Sequence, residues 1–273
     1  MSHAVDAFVR CVEAAREAGL GRTEVANAPM VAICRLFDLD IEGMLESAEQ
    51  AIALARRVGQ LRPEMIAQHA IMQAGVESGR FELVPPAVER GQFIGHEIGA
   101  VRFGPENLIF LADMQERAGD LAAARETGRR ALETLRATGS PAFIGPAVLA
   151  ISARLAPDRQ SALACIVEAE KFLAGTGLAH NHFYIRREGI DLGWVWRDVG
   201  MIRTHAAALA EFVGDDRSAW PAFVLERAEI LMQAIDGRRD EAWKARLAAL
   251  RKTAAARQLV VFDRALAQAV ALA

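Results

Sequence analysis

Two short runs hold the side chains best suited to chemistry. His96-Glu97-Ile98-Gly99-Ala100 begins like the helix of a zinc protease, where two histidines four residues apart chelate the metal and the glutamate between them acts as base. The second ligand position holds Ala100, so this run cannot chelate. In His180-Asn181-His182, two imidazoles stand near Tyr184 and the Arg186-Arg187 pair, a set able to hold a metal or an anion. Residues at i and i+2 do not share a helix face, and no third ligand is adjacent. The spacing favours Asn181 as the cap of a helix starting at His182, and no metal is expected.

Nucleophilic and nucleotide chemistry fail similarly. Cys11, Cys34 and Cys165 have no histidine nearby in sequence, and neither a Gly-x-Ser-x-Gly elbow nor a P-loop Gly-Lys dipeptide occurs. Gly175-Thr176-Gly177 has His180 where a dinucleotide fingerprint needs its third glycine. We expect no catalytic residue and no cofactor. Trp194, Trp196, Trp220 and Trp243 read as packing between helices, and His69, His96 and His205 as packing or surface residues.

The elements that would position such groups are helices. Of 273 residues, 52% are apolar and 54 are Ala, the strongest helix former, against 9 Pro. A net charge of −3 without any basic run disfavours nucleic acid as partner. Ala137 to Ala153 is the longest uncharged stretch, but Pro141 and Pro146 interrupt its 17 residues, so no membrane span is expected. Three scattered cysteines form no disulfide framework, and no basic segment leads into an apolar run at the N-terminus. The expectation is a soluble, cytoplasmic protein.

Helical pairs recur along the chain. Turns at Leu39-Asp40, Gly79-Arg80, Gly119, Ala156-Pro157-Asp158, Arg197-Asp198 and Gly237-Arg238 are spaced by 40, 40, 37, 41 and 40 residues. The clearest copy runs from Pro105 to Pro141, with a turn at Ala118-Gly119-Asp120 and a close at Gly139-Ser140-Pro141. Ala112, Ala124 and Ala131 stand where its two helices approach closely. The division expected over 1–273 is one all-α domain: an N-terminal helix at 4–18, hairpins at about 27–60, 63–100, 105–140, 141–178, 181–216 and 218–257, and a closing helix at 258–272. Pro85-Pro86 fits the first turn of a second helix. Leu259 to Phe262, the most strand-like run, should be helical because helix formers flank it.

Ala118-Gly119-Asp120-Leu121-Ala122-Ala123-Ala124-Arg125 with Arg130-Ala131-Leu132-Glu133, and Glu49-Gln50-Ala51-Ile52-Ala53-Leu54-Ala55-Arg56-Arg57-Val58-Gly59, resemble the turn and second helix of tetratricopeptide repeats. Gly128 replaces the family's frequent large aromatic, and Met44 and Val84 replace its small residue. The resemblance implies a right-handed α-α superhelix, a solenoid of about six hairpins with terminal helices. A narrower resemblance covers the second half. Phe143 to Leu149, Ala179 to Asp191, Ala206 to Phe212 and Trp220 to Phe223 are similar to the C-terminal repeat region of bacterial adenylate/guanylate cyclase regulators, whose cyclase and ATPase-like domains precede that region.

The function expected is binding without catalysis, as a protein- or peptide-binding scaffold or regulatory module in bacterial signal transduction linked to a cyclase-type regulator. First helices should line a concave face, with His69 and Gln73, then Asp113 and Glu116, then Tyr184, Arg187, Asp191 and Trp194 pointing inward. The expected partner is a protein or peptide segment, with homo-oligomerisation left open. One alternative is a small-molecule effector sensor, which requires an enclosed, largely apolar pocket with a few convergent polar groups. Another is a structural oligomerisation module, which requires an apolar patch on an outer face or end.

Overall fold

The structure, a computed structural model, describes residues 3–138, 141–176, 179–216 and 218–271, and among the described residues every regular element is helical. The α-helices are α1 (Ala4–Glu17), α2 (Gly21–Arg35), α3 (Ile41–Arg57), α4 (Leu61–Ser78), α5 (Val84–Glu97), α6 (Gly104–Arg117) and α7 (Leu121–Ala137). They continue as α8 (Pro141–Leu155), α9 (Arg159–Thr176), α10 (Ala179–Val195), α11 (Val199–Val213), α12 (Ala219–Ile235), α13 (Glu241–Ala256) and α14 (Val260–Ala271). No helix of the described residues is long and apolar enough to cross a membrane. The expected turn residues Gly139 and Ser140, Gly177 of the glycine run, and the end of the closing helix at 272 lie outside the described residues.

Each pair's start and stop signals have a physical basis. Leu39, Gly79, Gly119, Arg197 and Gly237 have positive φ (56°, 75°, 96°, 55° and 82°), the left-handed step that ends a helix. Aspartates then cap most of the second helices. Asp40, Asp120, Asp158, Asp198 and Asp240 accept hydrogen bonds from the amides of Gly43, Ala123, Ser161, Met201 and Trp243 at 2.8–3.0 Å. In the second pair Arg80 occupies the aspartate position, and Pro85 and Pro86 stand in the first turn of α5, where missing amide donors cost nothing.

The two helices of a pair are unlike. Second helices such as α3 and α7 bury a stripe of Ala, Leu and Gly and carry charge on the other side, whereas α4 and α10 are buried on nearly all sides. The reason is that first helices pack on one another in succession, α2 on α4, α4 on α6, α6 on α8, α8 on α10 and α10 on α12, besides packing on their own partners. Small residues permit the close approaches: Ala112, Ala124 and Ala131 are fully buried, and Leu155 Cδ1 lies 2.9 Å from where a Cβ on Gly128 would stand. The C-terminal helices also meet the N-terminal pairs. α14 packs on α4, α12 packs on the turn at Leu36–Asp38, and Arg80 bridges Glu42 to Gln258, donating to the latter at 2.6 Å.

Three boundaries differ from expectation. α2 starts at Gly21 rather than near 27, continuing the turn at Gly19 (φ 67°). α10 starts at Ala179, so Asn181 lies within the helix instead of capping it, and its Nδ2 donates to the Phe143 carbonyl at 3.0 Å, tying α10 to α8. Leu259 precedes α14 because Gln258 takes the left-handed step (φ 56°) and Leu259 N donates back to Ala254 O at 2.8 Å; Val260 to Phe262 are helical.

Candidate functional site

The inner faces of the first helices carry the unusual feature of this molecule, a chain of paired acidic and basic side chains inside the protein. From α4 comes Glu77, from α6 Asp113, Glu116 and Arg117, from α8 Arg154, from α10 Arg187, Glu188 and Asp191, and from α12 Arg227. Arg154 contacts Asp113, Glu116 and Glu188 together, the last at 2.8 Å. Arg187 bonds Glu77 across the interior and Glu188 beside it at 3.0 Å, while Arg117 holds Asp113 at 2.6 Å and Arg227 holds Asp191 at 2.5 Å. Burial alone would raise the Asp113 carboxyl, but Arg117, Arg154 and Arg187 hold it well below the usual carboxylate range. Burial likewise opposes the charge on Arg154 and Arg187, and their carboxylate partners override it, so both stay firmly protonated.

All eight inward positions expected from sequence lie along this interior, yet it is not an open surface. Gln73 Nε2 donates to the Tyr184 hydroxyl at 2.8 Å, and His69 Nε2 meets Asn107 Oδ1 at 2.8 Å with Glu106 3.4 Å from its other nitrogen. His69, Gln73, Asp113, Tyr184, Arg187 and Trp194 are buried, and Glu116 and Asp191 half-buried. An accessible concave face over α4, α6 and α10 is therefore corrected: α10 reaches across to α4, and the side chains expected to meet a partner meet each other. Between them a space of about 20 Å³ remains, lined in part by Glu77, His180 and Trp220, each with one polar atom lacking a partner among the described residues. Its size and polarity suit one water molecule.

The interior opens at one end. Glu116, Asp191 and Trp194 reach a cavity of about 390 Å³ between the α6–α10 body and α14, which Gln268 of α14 closes by accepting from Trp194 Nε1 at 2.8 Å. Arg117 and Arg264 are shared with a neighbouring cavity of about 690 Å³ along α14 and Gly79. Sequence reasoning missed Glu77, Arg117, Arg154, Glu188, Arg227 and Arg264. A signal existed for Arg154, the only charge in α8, since a lone charge in an apolar helix must find a partner.

The histidine run does not converge. His182 stacks on Phe212 with ring centroids 3.7 Å apart, whereas His180 lies on the His69 side of the helix. Burial lowers both, with Arg186 adding to the effect at His182 and His69 at His180. His205 is buried against Gly189, and burial with neighbouring Arg186 lowers it to about 4. Cys34 is buried and raised to about 11, chiefly by burial and then by Asp38, which leaves no thiolate for nucleophilic attack. Compared with protein-family models and with curated proteins, the chain matches none.

Proposed function

We propose that the chain is a non-catalytic regulatory module, a tetratricopeptide-like superhelix closed on its own interior, that senses a small-molecule effector held between α14 and the repeat body. The observation that supports this reading is the placement of the 390 Å³ cavity at the end of the interior ion network, which it reaches through Glu116, Arg154, Asp191 and Arg227. Filling it would act on helices that belong to four of the proposed hairpins and on α14 at once. The paired carboxylates argue against acid catalysis, because Asp113 is held ionised and has no proton to give. Likeness to the repeat region of cyclase regulators is in keeping with a role in bacterial signal transduction, in which closure of α14 would alter what a linked domain or protein partner meets.

A protein- or peptide-binding role on the outside is the second reading, favoured by Phe93, Ile98 and Val101, which are 50%, 38% and 62% exposed at the end of α5 and beyond. A thermal-shift survey of cationic, neutral and anionic metabolites tests the first. At least one class should raise Tm, and Gln268→Trp, which fills the cavity mouth from an exposed position, should abolish the rise. No shift with any class, or a shift indifferent to that substitution, overturns the effector reading.

A further inference from the structure

The cavity beneath α14 is lined by six arginines and three carboxylates. Two of those arginines are spent: Arg154 is shared by Asp113, Glu116 and Glu188, and Arg159 is held by Asp198 at 2.5 Å. The others are not. Arg227 is 1% exposed, its one carboxylate partner is Asp191, and its Nε and Nη1 have no hydrogen-bond partner among the described residues. Arg117 leaves Nη2 without one. Arg125 donates Nε to the neutral carbonyl of Leu155 at 3.1 Å, and Arg264 stands 3.6 Å from Glu116, a carboxylate already engaged by Arg154.

Buried guanidinium nitrogens without acceptors are costly, and along this wall six guanidinium groups stand against three carboxylates. The remaining wall is apolar, with Leu192, Trp194, Ala162 and Val261 among its residues. We propose that this cavity binds a small organic anion, a carboxylate or phosphate ester joined to an apolar or aromatic body. The proposal rests on the effector reading above and adds the ligand's charge and shape. The volume lies within the range of small-molecule sites, so the body fits beside Trp194 while the anionic group meets Arg125 and Arg264, with the buried Arg227 in the same wall.

The test uses the full chain and two dyes, anilinonaphthalene sulfonate and N-phenyl-1-naphthylamine, which share an aromatic body and differ in the sulfonate. Titration by fluorescence should give one-to-one binding of the anionic dye, at least tenfold tighter than the neutral one. Arg125→Gln with Arg264→Gln, both at exposed positions, should weaken the anionic dye about tenfold and leave the circular dichroism spectrum unchanged. Arg227→Met should do the same, checked for folding because Asp191 loses its partner. Displacement by naphthyl phosphate or by naphthoate then distinguishes the two anionic groups. Equal affinity for the neutral dye, or unchanged affinity in the double arginine variant, overturns the anion assignment. If a neutral or cationic compound binds and Gln268→Trp blocks it, the anion assignment fails while the effector reading stands. If no compound of any charge binds there, both fail.

Discussion

Tyr184 and Trp194 lie on the same inward stripe of α10, less than three turns apart, and their surroundings are opposite. Around Tyr184, α4 and α12 press in so closely that Gln73 and Glu77 bond directly across to α10, leaving about 20 Å³. Around Trp194 the cover is α14, a short helix attached through Gln268, and about 390 Å³ is left. Register alone therefore fixes which side chains point inward, while the element seated opposite decides whether inward means sealed or open. The sealed end should answer substitution with lost stability, and the open end with altered binding or local opening.

The largest effect is expected for Arg187→Met. Arg187 is 2% exposed and its loss strands Glu77 and weakens the compensation of Glu188 and Asp113, so urea denaturation should show a loss of about 3–5 kcal/mol. Arg264→Gln at the open end should change stability by less than about 0.5 kcal/mol, as an exposed pair does. Equal losses at the two sites would erase the distinction between the ends.

The next effect is a pH dependence. His205 titrates at about 4 in the fold because burial and then Arg186 disfavour its charged form, with Glu170 opposing, whereas its ordinary value is 6.5. Between those values the unfolded chain binds more protons, so stability is full above about 6.5 and declines as pH falls toward 4, by up to about 3 kcal/mol. The lowered values of His180 and His182 act in the same direction. His205→Gln should flatten the curve of Tm against pH in that window, and an unchanged slope would show that His205 is not its source.

Gly189→Ala should cost about 1–3 kcal/mol, since the added Cβ would stand 2.3 Å from the His205 ring and the ring must move. Pairing it with His205→Ala should recover part of the loss in a double-mutant cycle, and strict additivity would place the strain elsewhere.

These contrasts show what was legible in the sequence. The helical pairs were readable because their punctuation is local: Gly119 with Asp120, or Gly79, ends one helix or caps the next through bonds to its own neighbours. The inward stripe was readable for the same reason, since Tyr184, Arg187, Asp191 and Trp194 follow helical spacing. What covers that stripe was not. The partners of Arg187 and Trp194, Glu77 and Gln268, are 110 and 74 residues away, and no local pattern encodes such pairings. Asn181 shows the limit at short range, where a good cap residue was drawn into α10 because the Phe143 carbonyl of α8 offered an acceptor.

Among the buried positions, the smallest effect is expected where α14 is fastened. Trp194→Phe keeps an aromatic wall but removes the Nε1 donor to Gln268, a single hydrogen bond at the edge of the fold, so global stability should fall by about 1 kcal/mol or less. The local consequence should be larger than the global one. α14 also rests on α4 and α12, and Phe262 is packed against Trp220 and Phe223, so its first turn is held independently of Trp194. Hydrogen exchange should therefore quicken at the amides around Gln268 and stay slow near Phe262. Uniform protection along α14 in this variant would mean that the bond to Gln268 does not fasten the cavity mouth, and that the open end is as rigid as the sealed one.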